Sequence, residues 1–216
     1  VVADGAGGHG GGDIASRLAV QHVLERFVAQ PDTQPAHAAQ LVRSANQTVV
    51  GNQLPGTSQA HMHSTLVLLS IDFVNLTAAW AHAGDSRLYC FRNGMFLTHT
   101  KDHSFVQSLS DAGLLAAEDM KTHPQRSELL SALGSPDDDL AVGESPQGWV
   151  VEPGDVYMLC TDGLWEYVDD SHMAHLLSLA SGPQHWLEML EQEVLRAAAH
   201  KPRHDNYSAI AVWTTP

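Results

Sequence analysis

The stretch that most limits what this chain can become lies between Thr65 and His99. Four apolar runs, residues 65–71, 76–83, 87–92 and 95–99, are separated by only four, three and two residues. Links that short cannot carry a crossover, so neighbouring strands must run antiparallel. The last link, Asn93-Gly94, is the strongest hairpin signal in the chain and calls for a type I′ turn. Everything else has to be arranged around an antiparallel meander.

Upstream, Ile14, Leu18, Val20, Leu24, Phe27 and Val28 recur at helical spacing with no internal Gly or Pro, which predicts a helix over 13–29. Asp13 is placed to cap that helix or complement its dipole, and Pro31 marks the stop. Ala38, Leu41, Val42, Ala45 and Val49 predict a second helix over 35–50, followed by a loop at 51–56. Downstream, residues 101–135 break into short helical pieces (105–112, 116–121 and 128–133), an excursion from the sheet that reads as a flap. Asp137 to Asp139 read as a turn or a solvated run. Strands return at 140–144, 149–151 and 156–160, helices at 170–180 and 184–199, and a last strand at 207–214. No repeat or linker divides the chain, so one α+β domain over 1–216 is expected.

Charge narrows the function. With 25 acidic residues against 11 basic ones the net charge is −14, which argues against nucleic-acid binding. The same balance suits a protein that gathers carboxylates around cations, or simply an acidic surface. Cys90 and Cys160 sit inside strand patterns and read as buried free thiols. No run approaches the ~18 apolar residues of a membrane span and no signal peptide is visible, so a cytoplasmic location is expected.

The opening stretch, Val1-Val2-Ala3-Asp4-Gly5-Ala6-Gly7-Gly8-His9-Gly10-Gly11-Gly12, allows three readings: a dinucleotide fingerprint, a metal-binding Asp-Gly turn, or a plain strand-to-helix connection. Gly5, Gly7 and Gly10 satisfy G-x-G-x-x-G, but a second helix follows where a parallel strand is needed. Asp4 also stands where phosphates would sit. No G-K-[ST] follows, which removes the P-loop. The metal reading gains from a set: Asp4-Gly5, Gly84-Asp85-Ser86, Asp162-Gly163 and Asp205-Asn206 all place a carboxylate beside a small or turn-forming residue at a strand end. All-oxygen ligation suits hard cations such as Mg²⁺ or Mn²⁺.

Taken together, the segments Val1–His9, Ala83–Tyr89 (Ala-Gly-Asp-Ser-Arg-Leu-Tyr), Thr100–Gln107 (Thr-Lys-Asp-His-Ser-Phe-Val-Gln), His123–Ser127, Leu159–Leu164 (Leu-Cys-Thr-Asp-Gly-Leu) and Asp205-Asn206 resemble, in order, the motifs of the metal-dependent protein phosphatases of the 2C type. The bacterial single-domain Ser/Thr branch is the most similar. The resemblance implies a four-layer α-β-β-α sandwich, two antiparallel sheets flanked by helices, with metals in a cleft at one end. By position, Asp4 would bridge two core metals, with the Gly5 carbonyl on the second and Asp162 and Asp205 completing the first. Asp85 with Asp162 would hold a third, weaker ion. Residues 101–135 would be the flap beside the substrate cleft, and Arg126 would meet a substrate phosphate or a salt-bridge partner within the flap.

The chemistry implied is hydrolysis of phosphoserine or phosphothreonine on proteins by water activated between two Mn²⁺ or Mg²⁺ ions, opposing a cognate Ser/Thr kinase. No protein nucleophile is required, in keeping with structural cysteines. Departures stand beside the resemblance. The chain opens mid-strand without a methionine, after the segment where the family carries a phosphate-binding Arg and a further acidic ligand, so N-terminal strands are expected to be missing. Ala6 stands where eukaryotic members place a His as general acid. His61-Met62-His63-Ser64-Thr65 replaces a Gly-Thr-Thr-like run, with His63 read as a packing variant. His9, His103 and His123 read as residues behind or beside the site rather than ligands. A phosphoprotein-binding regulatory module and a small-molecule phosphoesterase remain as alternatives.

Overall fold

Side-chain alternation along the strands decides the layering. The computed structural model describes residues 1–6, 10–199 and 204–214. In it β1 (Leu66–Asp72) and β2 (Thr77–Ala83) form an antiparallel hairpin, and β2 also carries the short strands β5 (Gly143–Glu144) and β6 (Trp149–Val150). The second sheet is antiparallel throughout in the order β4-β3-β7-β8, from β3 (Arg87–Arg92), β4 (Met95–His99), β7 (Val156–Cys160) and β8 (Ala209–Trp213). The single antiparallel meander expected over 65–99 is split: β2 and β3 do not pair, and the chain changes sheets between them, where Gly84 turns with φ +93°.

On β1 and β2, Leu66, Leu68, Ala81 and Ala83 face outward onto α1 (Gly12–Ala29) and α2 (Pro35–Gly51). Val67, Ala78 and Trp80 face the other way and meet Leu88, Cys90, Tyr157 and Leu159 of the second sheet. That sheet's opposite face, Tyr89, Phe91, Met158 and Cys160, is covered by α5 (Asp170–Leu179) and α6 (Pro183–Ala198). Period two in the strands therefore produces the expected helix-sheet-sheet-helix sandwich. The helices complete it with period 3.6: Trp186, Leu190 and Val194 of α6 are all fully buried, each burial contributing about 1.5–3 kcal/mol. Asn93 and Gly94 have φ of 53° and 74°, as the type I′ turn requires.

Several local expectations are corrected. The opening strand reduces to a bridge between Val2 and Val67. α1 is capped by Gly11, at φ 89°, while Asp13 sits in its first turn, where it complements the dipole. Residues 128–133 are not helical: Leu129 bridges Ser104, the N-cap of a short helix, and Leu133 bridges Ser64, just before β1, because these remote pairings outweigh a weak local preference. The run at 117–122 is a 3₁₀ helix (Ala117–Thr122), and α2 extends into the predicted loop as far as Gly51. The strand predicted over 140–144 shrinks to β5, while Leu140 packs against the first helical layer. Cys90 and Cys160 are free and buried. Among the described residues no helix is long and apolar enough to cross a membrane.

Candidate metal centre

Asp4 is held by its backbone. Its N–H donates to Thr65 Oγ1 at 2.9 Å, and its carbonyl accepts from Thr65 N at 2.8 Å and Ser64 Oγ at 2.9 Å. The Thr65 hydroxyl also shares a 2.6 Å hydrogen bond with Ser86 Oγ, beside Asp85. A Cβ on Gly84 would come within 2.8 Å of Thr65 Cγ2, so the glycine lets the Asp85 turn close on this threonine. Thr65 thus ties the Asp4 turn to the Asp85 turn.

Two other close backbone approaches set the remaining acids. A Cβ on Gly5 would collide with the backbone of Gly12, which brings the start of α1 over the Asp4 turn. A Cβ on Gly163 would collide with the Asn206 carbonyl, so the Asp162 turn and the Asp205 turn lie against each other. Two bonds fix that register: Thr161 N–H donates to the Ser208 carbonyl at 3.1 Å, and Ser208 N–H donates to Thr161 Oγ1 at 3.1 Å. Asp162 opens a four-residue helix, α4 (Asp162–Trp165), and its carboxylate accepts from Gly163 N at 2.7 Å.

The four aspartates predicted from sequence are thereby brought within each other's fields. Burial raises the Asp162 carboxyl to about 8, and the charges of Asp85, Asp4 and Asp205 push the same way. Asp85 is raised to about 7 by burial and by Asp102 and Asp4. Asp4 is raised by burial and by Asp205, against a lowering hydrogen bond with Asp162. Acids crowded out of water and repelling one another hold protons until a cation relieves them. Among the described residues no three His, Cys, Asp or Glu side chains are placed so that they could hold a metal ion together. The donor set, carboxylates with the Gly5 carbonyl beside them, nevertheless fits hard divalent ions in its chemistry.

Behind Asp85 lies a network the sequence reading missed. Arg87 makes a bidentate pair with Asp102, both bonds 2.8 Å, donates to Tyr89 OH at 3.0 Å, and lies 3.6 Å over the Trp165 ring. Trp165 in turn donates its indole N–H to the Asp85 carbonyl at 3.0 Å. Arg87 followed Asp85 in a motif, but nothing in the spacing pointed to Asp102 or Trp165 as partners. Arg126 pairs with Glu166 at 3.4 Å, a partner outside the 101–135 segment. His103 stacks on His82, ring centres 4.7 Å apart, and accepts from Gly84 N at 3.3 Å. Burial first, then the neighbouring His82, lowers its pKa to about 4, so the ring stays neutral behind the Asp85 turn. His63 bonds the His61 carbonyl at 2.9 Å and lines a small cavity with Ala6, and His123 packs beside Phe105. His9 lies outside the described residues.

Compared with known families, residues 1–201 match Protein phosphatase 2C. The chain belongs to the protein phosphatase 2C family. Two curated relatives of this phosphatase-family chain are each 32% identical to it. One is the serine/threonine protein phosphatase PstP of Mycobacterium tuberculosis, aligned over 82% of this chain and 34% of that protein. The other is the protein phosphatase PhpP of Streptococcus pneumoniae, aligned over 82% of this chain and 72% of that protein. The chain thus spans about a third of PstP's length. A solved structure of the PstP catalytic domain in complex with two manganese ions superposes with a TM-score of 0.76 at 26% identity, covering 97% of this chain and 84% of that one.

Proposed function

We propose that this protein phosphatase 2C chain is a metal-dependent phosphoserine/phosphothreonine protein phosphatase. The observation that carries the reading is the meeting of Asp4, Asp85, Asp162 and Asp205, from four separate turns, where burial and mutual repulsion raise the first three. In this reading Asp4, the Gly5 carbonyl, Asp162 and Asp205 hold two core Mn²⁺ or Mg²⁺ ions, and Asp85 with Asp162 holds a third. Such ions supply the nucleophilic water and neutralise charge on the phosphoryl oxygens. The chain's own residues do the positioning: Thr65 holds the Asp4 and Asp85 turns together, and Gly163 lets Asp205 approach Asp162. The thiols take no part: burial raises Cys90 to about 12 and Cys160 further up.

The manganese-bound neighbour supports the metal, the name of PstP supports the Ser/Thr protein substrate, and the name of PhpP supports a protein substrate. A cognate Ser/Thr kinase in the cytoplasm would supply those phosphoproteins. Residues 1–216 would act as one domain, with 101–135 as the flap and Arg126 at the substrate. The test is hydrolysis of a phosphothreonine peptide by the purified protein in Mn²⁺. Asp162→Asn should cut kcat by about 10²-fold or more while circular dichroism stays unchanged. Wild-type turnover in that variant would sink the assignment.

Ala6, which cannot act as a general acid, favours a second reading, a phosphoprotein-binding module without turnover. Peptide binding with no phosphate release in Mn²⁺ or Mg²⁺ would select it.

A further inference from the structure

A cavity of about 540 Å³ opens between the 101–135 excursion and the α4–α5 segment, beside the acid cluster rather than within it. On a chain of net charge −14 it gathers basic residues: two of the three lysines, Lys101 and Lys121, line it together with Arg87 and Arg126. Three of these cations are engaged. Arg87 is bound to Asp102, Lys101 to Asp111 at 2.8 Å, and Arg126 to Glu166 at 3.4 Å. Lys121 is different. Its ammonium donates to the Trp165 carbonyl at 3.4 Å and its charge helps to lower Asp169, but among the described residues no ion pair within 4 Å includes it.

Four acids line the cavity as well: Asp102 and Glu166 pair with Arg87 and Arg126, and the charge of Lys121 helps to lower Asp169. Asp169 caps α5, accepting from Ser171 Oγ at 2.6 Å and His172 N at 2.8 Å, and Asp170 stands 3.7 Å from His99. Val106, Ala117, Met120 and Trp165 give the wall an apolar part that could cover a side-chain stem. The cavity therefore offers an anion one cation with no carboxylate at contact distance, beside an apolar surface.

Its position relative to the acid cluster sets the register. Asp162 opens α4 and Glu166 follows it one turn later, a rise of about 6 Å. The charge of Glu166 is felt at Asp162. An extended peptide advances ~3.3 Å per residue, so two residues span the same interval. We propose that this cavity is a subsite for an anionic side chain, carboxylate or phosphate, two residues from the phosphorylated residue of the protein substrate, with Lys121 as its specificity determinant. The proposal rests on the phosphatase reading above and adds a sequence preference to it.

The experiment compares phosphothreonine peptides in Mn²⁺. One has alanine flanks. Two carry Glu two residues before or after the phosphothreonine, and two carry a non-hydrolysable phosphonate analogue of phosphoserine at those positions. At least one anionic peptide should show kcat/KM about five- to tenfold above the alanine peptide, mainly through KM. The carboxylate and phosphonate arms tell which anion is preferred. Lys121→Ala should abolish the preference while leaving the alanine peptide unchanged, and Lys121→Arg should retain it. Equal kcat/KM across the set, or a preference that survives Lys121→Ala, overturns the proposal.

If no peptide is hydrolysed, the phosphatase reading fails by itself. The subsite is then judged by fluorescence anisotropy of the same peptides in EDTA. Tighter binding of the anionic peptides that is lost in Lys121→Ala supports it, and indistinguishable binding refutes it.

Discussion

Gly163 carries more of the site's geometry than its size suggests. It is the residue that admits the Asn206 carbonyl, and through it the approach of Asp205 to Asp162. Gly163→Ala forces one of those turns to move. It is expected to cost about 1–3 kcal/mol in urea denaturation and to weaken Mn²⁺ binding by calorimetry. Gly51→Ala is the control, since nothing lies within 4 Å of an added Cβ there; it should be neutral or slightly stabilising. Equal behaviour of the two variants would mean that the approach at Gly163 is not limiting. Thr65 works similarly through small dimensions, one hydroxyl reaching both the Asp4 amide and Ser86.

At the scale of elements, the Arg87–Asp102 pair fastens the start of β3 to the segment that leaves β4, and Trp165 adds α4 to the joint. Both side chains are almost fully buried, 9% and 3% exposed. Asp102→Asn would strand a buried guanidinium and is expected to cost about 3–5 kcal/mol by urea denaturation. Arg87→Met combined with Asp102→Leu should recover much of that loss, and a double variant as unstable as the single one would count against the pair as the cause. This joint also marks how far the sequence could be read. Hairpin β3–β4 was legible because Asn93-Gly94 acts over two residues, whereas the four layers were legible only through the resemblance of the motifs to the family. The segment at 128–133 was not, since its bridges to Ser104 and Ser64 depend on partners remote in sequence. The four aspartates could be singled out by type and by motif, but their meeting depends on three glycine contacts that spacing does not encode. Arg87's partners and Thr65's double bond were hidden for the same reason.

For the whole molecule, the acid cluster should appear as a pH dependence of the metal-free protein. Asp85 and Asp162 titrate near 7 and 8 in the folded state against 3.8 ordinarily, and Asp4 is raised as well. The folded chain then holds protons that the unfolded chain has released, so these groups make stability fall as pH rises through that window. Below about pH 6.5 the neutral imidazoles of His82 and His103, lowered by burial, act in the opposite sense. Between pH 6.5 and 8.5 in EDTA the urea midpoint should therefore decrease, and Mn²⁺ should raise it more at the higher pH. A midpoint flat or rising with pH would show that the carboxyls are not held up.

The two thiols turn the second sheet into a pair of clocks. Cys90 looks into the space between the sheets and Cys160 looks out under α5 and α6, on neighbouring strands of the same sheet. Neither should react with a maleimide until the structure around it opens. Mass spectrometry of pulse-labelled protein would read which opens first. Cys160 labelled ahead of Cys90 would mean that the helical layer lifts away while the sandwich stays shut, and simultaneous labelling would mean that the layers part together.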